Sequence, residues 1–289
     1  MKKPLLMTGA TGLVGSRFAE MFADTYDVAN IDLATGVDIT DIASIEKFVT
    51  AHPSESLIHL AAFTDTNKAF GETGDKSGIC YKVNVDGTRN IAKVCHDHGI
   101  HLVHISTDFV FDGKKDTPYQ EDDPLCPIEW YGQTKAWAEE EVEKSDANYT
   151  IARLSYPYRA HYELKPDIVQ KIRSGLESGK LYPQFTDTVI TPTYIDDIAR
   201  GFDAIVRLKP GGIFHLTGSS WHSPYELAQM VAKAYGFDPG VVRQGSLTEY
   251  LKSANRPFAR TVKMANDKAK KKLILYLSTF EEGLAAIKS

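Results

Sequence analysis

The stretch Gly9-Ala-Thr-Gly12-Leu-Val-Gly15 constrains the fold more than any other part of the chain. It follows the apolar run 5–8, which reads as a buried strand. It opens a run over 13–23 in which Leu13, Val14, Phe18, Met21 and Phe22 share one helical face. In such a loop the first glycine permits a tight turn and the second lets backbone approach a pyrophosphate. The third lets helix and strand touch. The helix start offers unpaired N–H groups and the positive end of a dipole to phosphates. Ligand-free βα turns also carry glycines, but here the next strand, 26–31, ends at Asp32, 17 residues past Gly15. A carboxylate there accepts ribose hydroxyls and repels a 2′-phosphate. No Lys or Arg stands beside it, so NAD(H) is favoured and NADP(H) is admitted.

Strand and helix patterns go on alternating: helix 42–51, strand 56–61, helix 81–98, strand 101–106, helix 131–145 and strand 149–154. Repeated βαβ units imply an α/β fold of the Rossmann type, a doubly wound parallel sheet with helices on both faces. After 155 the pattern loosens into a loop and helix over 159–180, a helix over 193–208 and a strand over 212–217. A helix over 223–235 follows, capped by Ser223 with Pro224 at its first position. Residues 1–155, rejoined by 191–217, are expected to form the nucleotide-binding domain. Residues 156–190 and 216–289 are expected to form a small C-terminal substrate-binding lobe.

With 289 residues, 43% of them hydrophobic and 25% charged, the chain has the make-up of an ordinary globular protein. Its net charge of -5 speaks against a nucleic-acid partner, and Lys268, Lys270, Lys271 and Lys272 read as a solvated face. No apolar run approaches the roughly 18 residues of a membrane span. Cys80, Cys95 and Cys126 are odd in number and lack paired spacing, which fits reduced thiols in the cytoplasm. His59 and His104 lie on strands without ligand spacing around them. They read as core residues, and no metal site is expected.

Tyr131-Gly-Gln-Thr-Lys135 sets a phenol and an ammonium on one helix face. The lysine is expected to lower the tyrosine pKa, so that the phenol exchanges a proton with a carbonyl or alcohol. Thr107 ends a strand 24 residues earlier, where its hydroxyl can bind the same oxygen. Asn84, on the preceding helix, is a candidate to anchor a water or a backbone carbonyl behind the lysine. Tyr-x-x-x-Lys alone is common; glycine loop, strand-end threonine and Tyr-x-x-x-Lys together are specific.

These segments resemble the extended short-chain dehydrogenase/reductases, and most closely the dTDP-4-dehydrorhamnose reductase family. The resemblance rests on His59-Leu-Ala-Ala-Phe-Thr-Asp-Thr-Asn-Lys68, Val83-Asn-Val-Asp-Gly-Thr-Arg-Asn90, the stretch 106–113 with 131–135, and Thr191-Pro-Thr-Tyr-Ile-Asp-Asp-Ile-Ala199. It implies NAD(P)H-dependent reduction of the 4-keto group of a 6-deoxy sugar nucleotide, with Thr107, Tyr131 and Lys135 catalytic. The implied cofactor site comprises Gly9, Thr11, Gly12, Leu13, Val14, Gly15, Asp32, Asp38, Ile39, Leu60, Ala61, Ala62, Thr64, Asn84 and Ser106, with Tyr131 and Lys135. Thr107, Asp108, Phe109, Tyr156 and Arg256 would face the sugar nucleotide. The chain departs from the family pattern on that side. Tyr156 replaces a tryptophan, 160–165 lacks the usual asparagine-containing segment, and 185–190 differs from the usual Asp-Gln-x-Gly-Ser. Phe109 stands where a 4,6-dehydratase needs an acid. A 4-epimerase, or a non-catalytic nucleotide-binding subunit like that beside methionine adenosyltransferase, are the alternatives. The resemblance admits a homodimer.

Overall fold

The computed structural model describes residues 1–288. Strands Lys3–Thr8 (β1), Tyr26–Ile31 (β2), Ser56–His59 (β3), His101–Thr107 (β4), Tyr149–Leu154 (β5) and Gly212–His215 (β6) form one sheet in the order β2-β1-β3-β4-β5-β6. Every pairing in it is parallel. Successive side chains of a strand point to opposite faces, and here both faces are apolar. Leu5, Met7, Ile58, Val103 and Ala152 enter one core, and Leu6, Leu57, Leu102 and Ile151 enter the other. Near-continuous apolar strands are what a sheet covered on both sides requires.

Helices Leu13–Met21 (α1) and Ile195–Leu208 (α6) cover the first face, supplying Phe18, Ile198, Phe202 and Ile205. Helices Ile42–Ala51 (α2), Gly87–Asp97 (α3) and Trp130–Glu143 (α4) cover the second, with Ile45, Ile91 and Val142. Helix α3 is preceded without a break by Ile79–Tyr81 and a π turn over Lys82–Asp86. The chain reverses its direction of travel across the sheet between β1 and β3. That is the switch point where parallel sheets leave a crevice at their carboxyl ends.

A separate core joins helices Ile168–Glu177 (α5), Pro224–Ala234 (α7) and Phe280–Ala286 (α8) through Ile172, Leu176, Leu227, Val231, Phe280 and Leu284. Ser223 caps α7 in a reciprocal capping box, with Pro224 at the first position. The short strand pair Pro157–Tyr158 with Thr193–Tyr194 binds this part to the rest, and a second, Gln184–Phe185 with Gln244–Gly245, ties its two segments together. Ala269, Leu273 and Leu277 return to the first sheet core, so the C-terminal stretch divides between both bodies. Lys268 departs from the solvated face expected for its cluster: its Nζ donates to the Ile213 carbonyl and lies over the Phe214 ring. Among the described residues no helix is long and apolar enough to cross a membrane.

Candidate functional site

The glycine loop connects β1 to α1 at the switch point. Gly9 has φ +65°, and a Cβ there would lie 3.1 Å from the Ala61 nitrogen. A Cβ on Gly15 would meet the Gly9 carbonyl at 2.4 Å. Both positions therefore need glycine for geometric reasons. No side chain caps α1 at Gly12, and no acid occupies its first turn. An open, unscreened helix N-terminus flanked by glycine backbone fits a dinucleotide pyrophosphate. Thr11 is exposed and Leu13 and Val14 are half-buried along this loop.

The Asn30 side chain accepts from the Ala10 amide at 3.2 Å and donates to Asp32. Asp32 also caps its own turn, with Oδ1 accepting from the Ala34 and Thr35 amides at 2.8 and 3.2 Å. The carboxylate is thus fixed at the strand end, as the sequence places it, with part of its acceptor capacity already used. Asp38 caps the turn before α2, and Ile39 is buried against Gly87. The Ile39 side chain is therefore core, and its carbonyl is taken by Asn90 at 3.1 Å. Leu60, Ala61 and Ala62 lie half-buried after β3, with the Ala61 amide held by Thr8 Oγ1 at 2.8 Å. Thr64 is exposed and meets Lys165 Nζ at 3.1 Å. Tyr162, from the same segment as Lys165, donates to the Thr11 carbonyl at 3.0 Å. Residues 162–165 thus bridge the two loops that border the crevice.

Thr107, Tyr131 and Lys135 come together at the carboxyl end of β4 and the start of α4. Tyr131 and Thr107 are buried close together, and the Thr107 hydroxyl favours the ionised phenol. Burial first, then Asp108 and Glu129, push the Tyr131 pKa up, and the Thr107 contact only partly opposes this. The net direction is upward, opposite to the lowering expected from Lys135, whose Nζ is bound elsewhere. That Nζ donates to the Ile105 carbonyl at 2.6 Å and lies 3.4 Å from His104 Nε2. Burial brings the Lys135 pKa down to about 8. Asn84 does anchor a backbone carbonyl, that of Phe63 at 3.2 Å, but its amide also donates to Thr134 Oγ1 at 3.0 Å. It ties the post-β3 loop to α4, and the group behind Lys135 is His104. Ser106 is buried and its hydroxyl has no partner within the described residues.

A pocket beside Tyr131 is lined by Asp108, Phe109, Glu129, Tyr156, Pro257 and Phe258. Asp108 is buried and accepts from Thr107 Oγ1 at 3.0 Å and Ser155 Oγ at 2.7 Å. Phe109 meets the Tyr131 ring edge-on, with centroids 5.4 Å apart. Tyr156 has φ +41°, a strained value for a bulky residue. Arg256 reaches Thr66 Oγ1 at 2.8 Å, Asn67 Oδ1 at 2.9 Å and Glu129 Oε2 at 3.1 Å.

Two charged groups here escaped the sequence reading. Glu129 caps α4 by accepting from the Gly132 amide at 2.9 Å, and it is the buried partner of Arg256. Its position two residues before Tyr131 was the available signal. Arg153 is 1% exposed and pairs with Glu139 at 2.7 Å, pinning α4 to β5.

A family model described as the RmlD substrate binding domain matches residues 1–288. The chain belongs to this family. A dTDP-4-keto-6-deoxy-D-glucose reductase of Streptomyces niveus is 32% identical over 239 residues, covering 82% of this chain and 81% of the relative. A dTDP-4-dehydrorhamnose reductase of Mycolicibacterium smegmatis is 30% identical over 260 residues, covering 89% and 77%. Among solved structures, the dTDP-4-dehydrorhamnose reductase of Bacillus anthracis in complex with NADP superposes with a TM-score of 0.90 at 26% identity. That match covers 100% of this chain and 99% of the other. The RmlD-family glycine loop, strand-end Thr107 and Tyr131–Lys135 pair therefore sit in a fold shared along the full chain.

Proposed function

We propose that this RmlD-family chain reduces the 4-keto group of a nucleotide-linked 6-deoxy sugar with a nicotinamide dinucleotide, NADH in preference to NADPH. The observation that carries the reading is Tyr131, buried at the crevice beside Thr107 and followed by Lys135 on the same helix face. Bound at the glycine loop, the reduced dinucleotide supplies hydride. The protein's part is to hold a proton and an orientation. Burial keeps the Tyr131 phenol protonated, which is the form that donates to the oxygen of a ketone becoming an alcohol. The Thr107 hydroxyl donates its single O–H to Asp108 and accepts from the Phe109 amide, so it would reach the same oxygen by turning that O–H away from Asp108. Arg256 and Tyr156 would face the substrate, one offering charge and the other a ring, within the lobe made by 156–190 and much of 216–289. Phe109 offers no proton, which supports reduction over dehydration. The fixed Asp32 carboxylate supports NADH. Cys80, Cys95 and Cys126 are unpaired, in keeping with a cytoplasmic enzyme.

The test is loss of reduced-nicotinamide absorbance with NADH and NADPH against a panel of dTDP-linked 4-keto-6-deoxy sugars. Turnover with at least one sugar, faster with NADH, is expected. Absence of turnover with every sugar and both dinucleotides would contradict the reading.

A further inference from the structure

An ammonium has three N–H donors and no acceptor, so each donor of the buried Lys135 needs a partner. The Ile105 carbonyl takes one at 2.6 Å. The next group is His104 Nε2 at 3.4 Å, a length that shortens in many sites once the ligand is bound. Asn84 is not a partner of Lys135 Nζ among the described residues: its Oδ1 accepts from the Phe63 amide at 2.8 Å, and its NH2 donates to the Phe63 carbonyl and Thr134 Oγ1. His59, whose ring lies 5.4 Å from that of His104, is held by Thr8 Oγ1 at 2.8 Å and Thr88 Oγ1 at 3.1 Å. His104 itself is fully buried, and its Nδ1 has no partner within the described residues.

We propose that His104 is the positioning residue for Lys135, its neutral imidazole accepting one ammonium N–H at Nε2 so that a single N–H remains for the dinucleotide. This rests on the reductase reading above. A neutral imidazole has one donor and one acceptor nitrogen. Acceptance at Nε2 therefore places the ring proton on Nδ1, at the cost of leaving that N–H unpaired. Burial, Lys135 and His59 all hold the His104 pKa well below the ordinary histidine value, so the ring stays neutral. The titratable and charged groups that bear on Lys135 are His104 from β4, His59 from β3, Glu139 from its own helix, and Cys80 from the turn before the π segment. Removing the imidazole acceptor leaves an ammonium donor unpaired in a buried site. The charged form is then weakened further, and dinucleotide binding that depends on it fails at lower pH.

Two readouts test this without substrate. Nitrogen-15 NMR of the imidazoles in the full-length protein reports the His104 tautomer. The Nδ1–H form is expected, and an Nε2–H form or a protonated ring would overturn the proposal. Fluorescence titration with NADH across pH is the second. For wild type, affinity should fall as pH rises through about 8. For His104→Phe the fall should come about one pH unit lower, an affinity loss of about fivefold at the wild-type midpoint that approaches tenfold above it. His104→Gln, whose amide oxygen accepts where Nε2 did, should restore the wild-type profile. A folded His104→Phe variant with an unchanged profile would overturn the proposal. If His104→Phe does not fold, His104→Gln decides: a folded Gln variant with a shifted profile overturns it. A wild type that binds no dinucleotide would sink the reductase reading instead, and the tautomer would still decide the role of His104.

Discussion

Asp108 sits out of solvent between two hydroxyls, and burial raises its pKa from the ordinary 3.8 to about 6. A carboxyl raised in the folded state binds its proton more tightly there than in the unfolded chain. Its contribution is therefore favourable below about pH 4, and it is lost as pH rises through about 6. Asp108→Asn should accordingly raise the melting temperature at pH 7 and change it little at pH 4. Equal shifts at both pH values would contradict this. Asp32 makes the other single-residue prediction. Asn30, Ala34 and Thr35 orient its carboxylate at the end of β2. Repulsion of a 2′-phosphate there is expected to contribute roughly 1–3 kcal/mol of discrimination. Asp32→Ala should narrow the ratio of NADH to NADPH dissociation constants, and a ratio that stays the same would show that Asp32 does not discriminate. Thr107, Tyr131 and Lys135 could be read from spacing because Thr107 ends β4 and Tyr131 and Lys135 stand one turn apart near the start of α4. Arg153 could not, and Glu129 offered only its place two residues before Tyr131. Charged residues are solvated by default, and their partners Arg256 and Glu139 are joined to them only by the fold.

At the scale of elements, the strand–turn–helix alternation was legible wherever a run was long enough to show a period. The strands and helices from β1 to β5 stand close to their expected bounds. The π turn at Lys82–Asp86 was not legible, since an extra residue in a helical turn leaves an apolar stripe almost unchanged, yet it carries Asn84. The two-residue strand pairs of the lobe were equally hidden, as two residues carry no period. A close fit between elements beside the site is that of α4 on the turn after β4. A Cβ on Gly132 would stand 2.2 Å from the Phe109 carbonyl oxygen. Gly132→Ala must therefore shift α4 or the 108–110 turn, moving Tyr131 relative to Thr107. Displacements near 1 Å are enough to cost about 10²-fold in rate. Turnover should fall by about that factor, and NADH affinity should fall less, since only Tyr131 and Lys135 of the dinucleotide site move with α4. An alanine variant with wild-type turnover would show that α4 tolerates the shift.

At the scale of the whole molecule, the sheet holds the dinucleotide crevice and the lobe closes the pocket from the other side. Arg256 joins the two, reaching Thr66, Asn67 and the buried Glu129. Truncating it removes the cation from the pocket and leaves Glu129 without its partner, which weakens the α4 cap as well. Arg256→Ala should raise KM for the sugar nucleotide about tenfold or more and leave the NADH dissociation constant in place. A change confined to NADH binding would place Arg256 on the cofactor side. The central claim is that this RmlD-family chain is a catalyst in which Tyr131 gives the proton. Tyr131→Phe deletes one oxygen and keeps the ring packed on Phe109, and a positioned proton donor contributes typically about 10²–10⁴-fold. The deciding measurement is steady-state reduction of a 4-keto-6-deoxy sugar nucleotide by wild type and Tyr131→Phe, with NADH titrations of both. Turnover lost by about that factor in the variant, with NADH affinity unchanged, is the expected result. Equal turnover in the two proteins would contradict the role assigned to Tyr131.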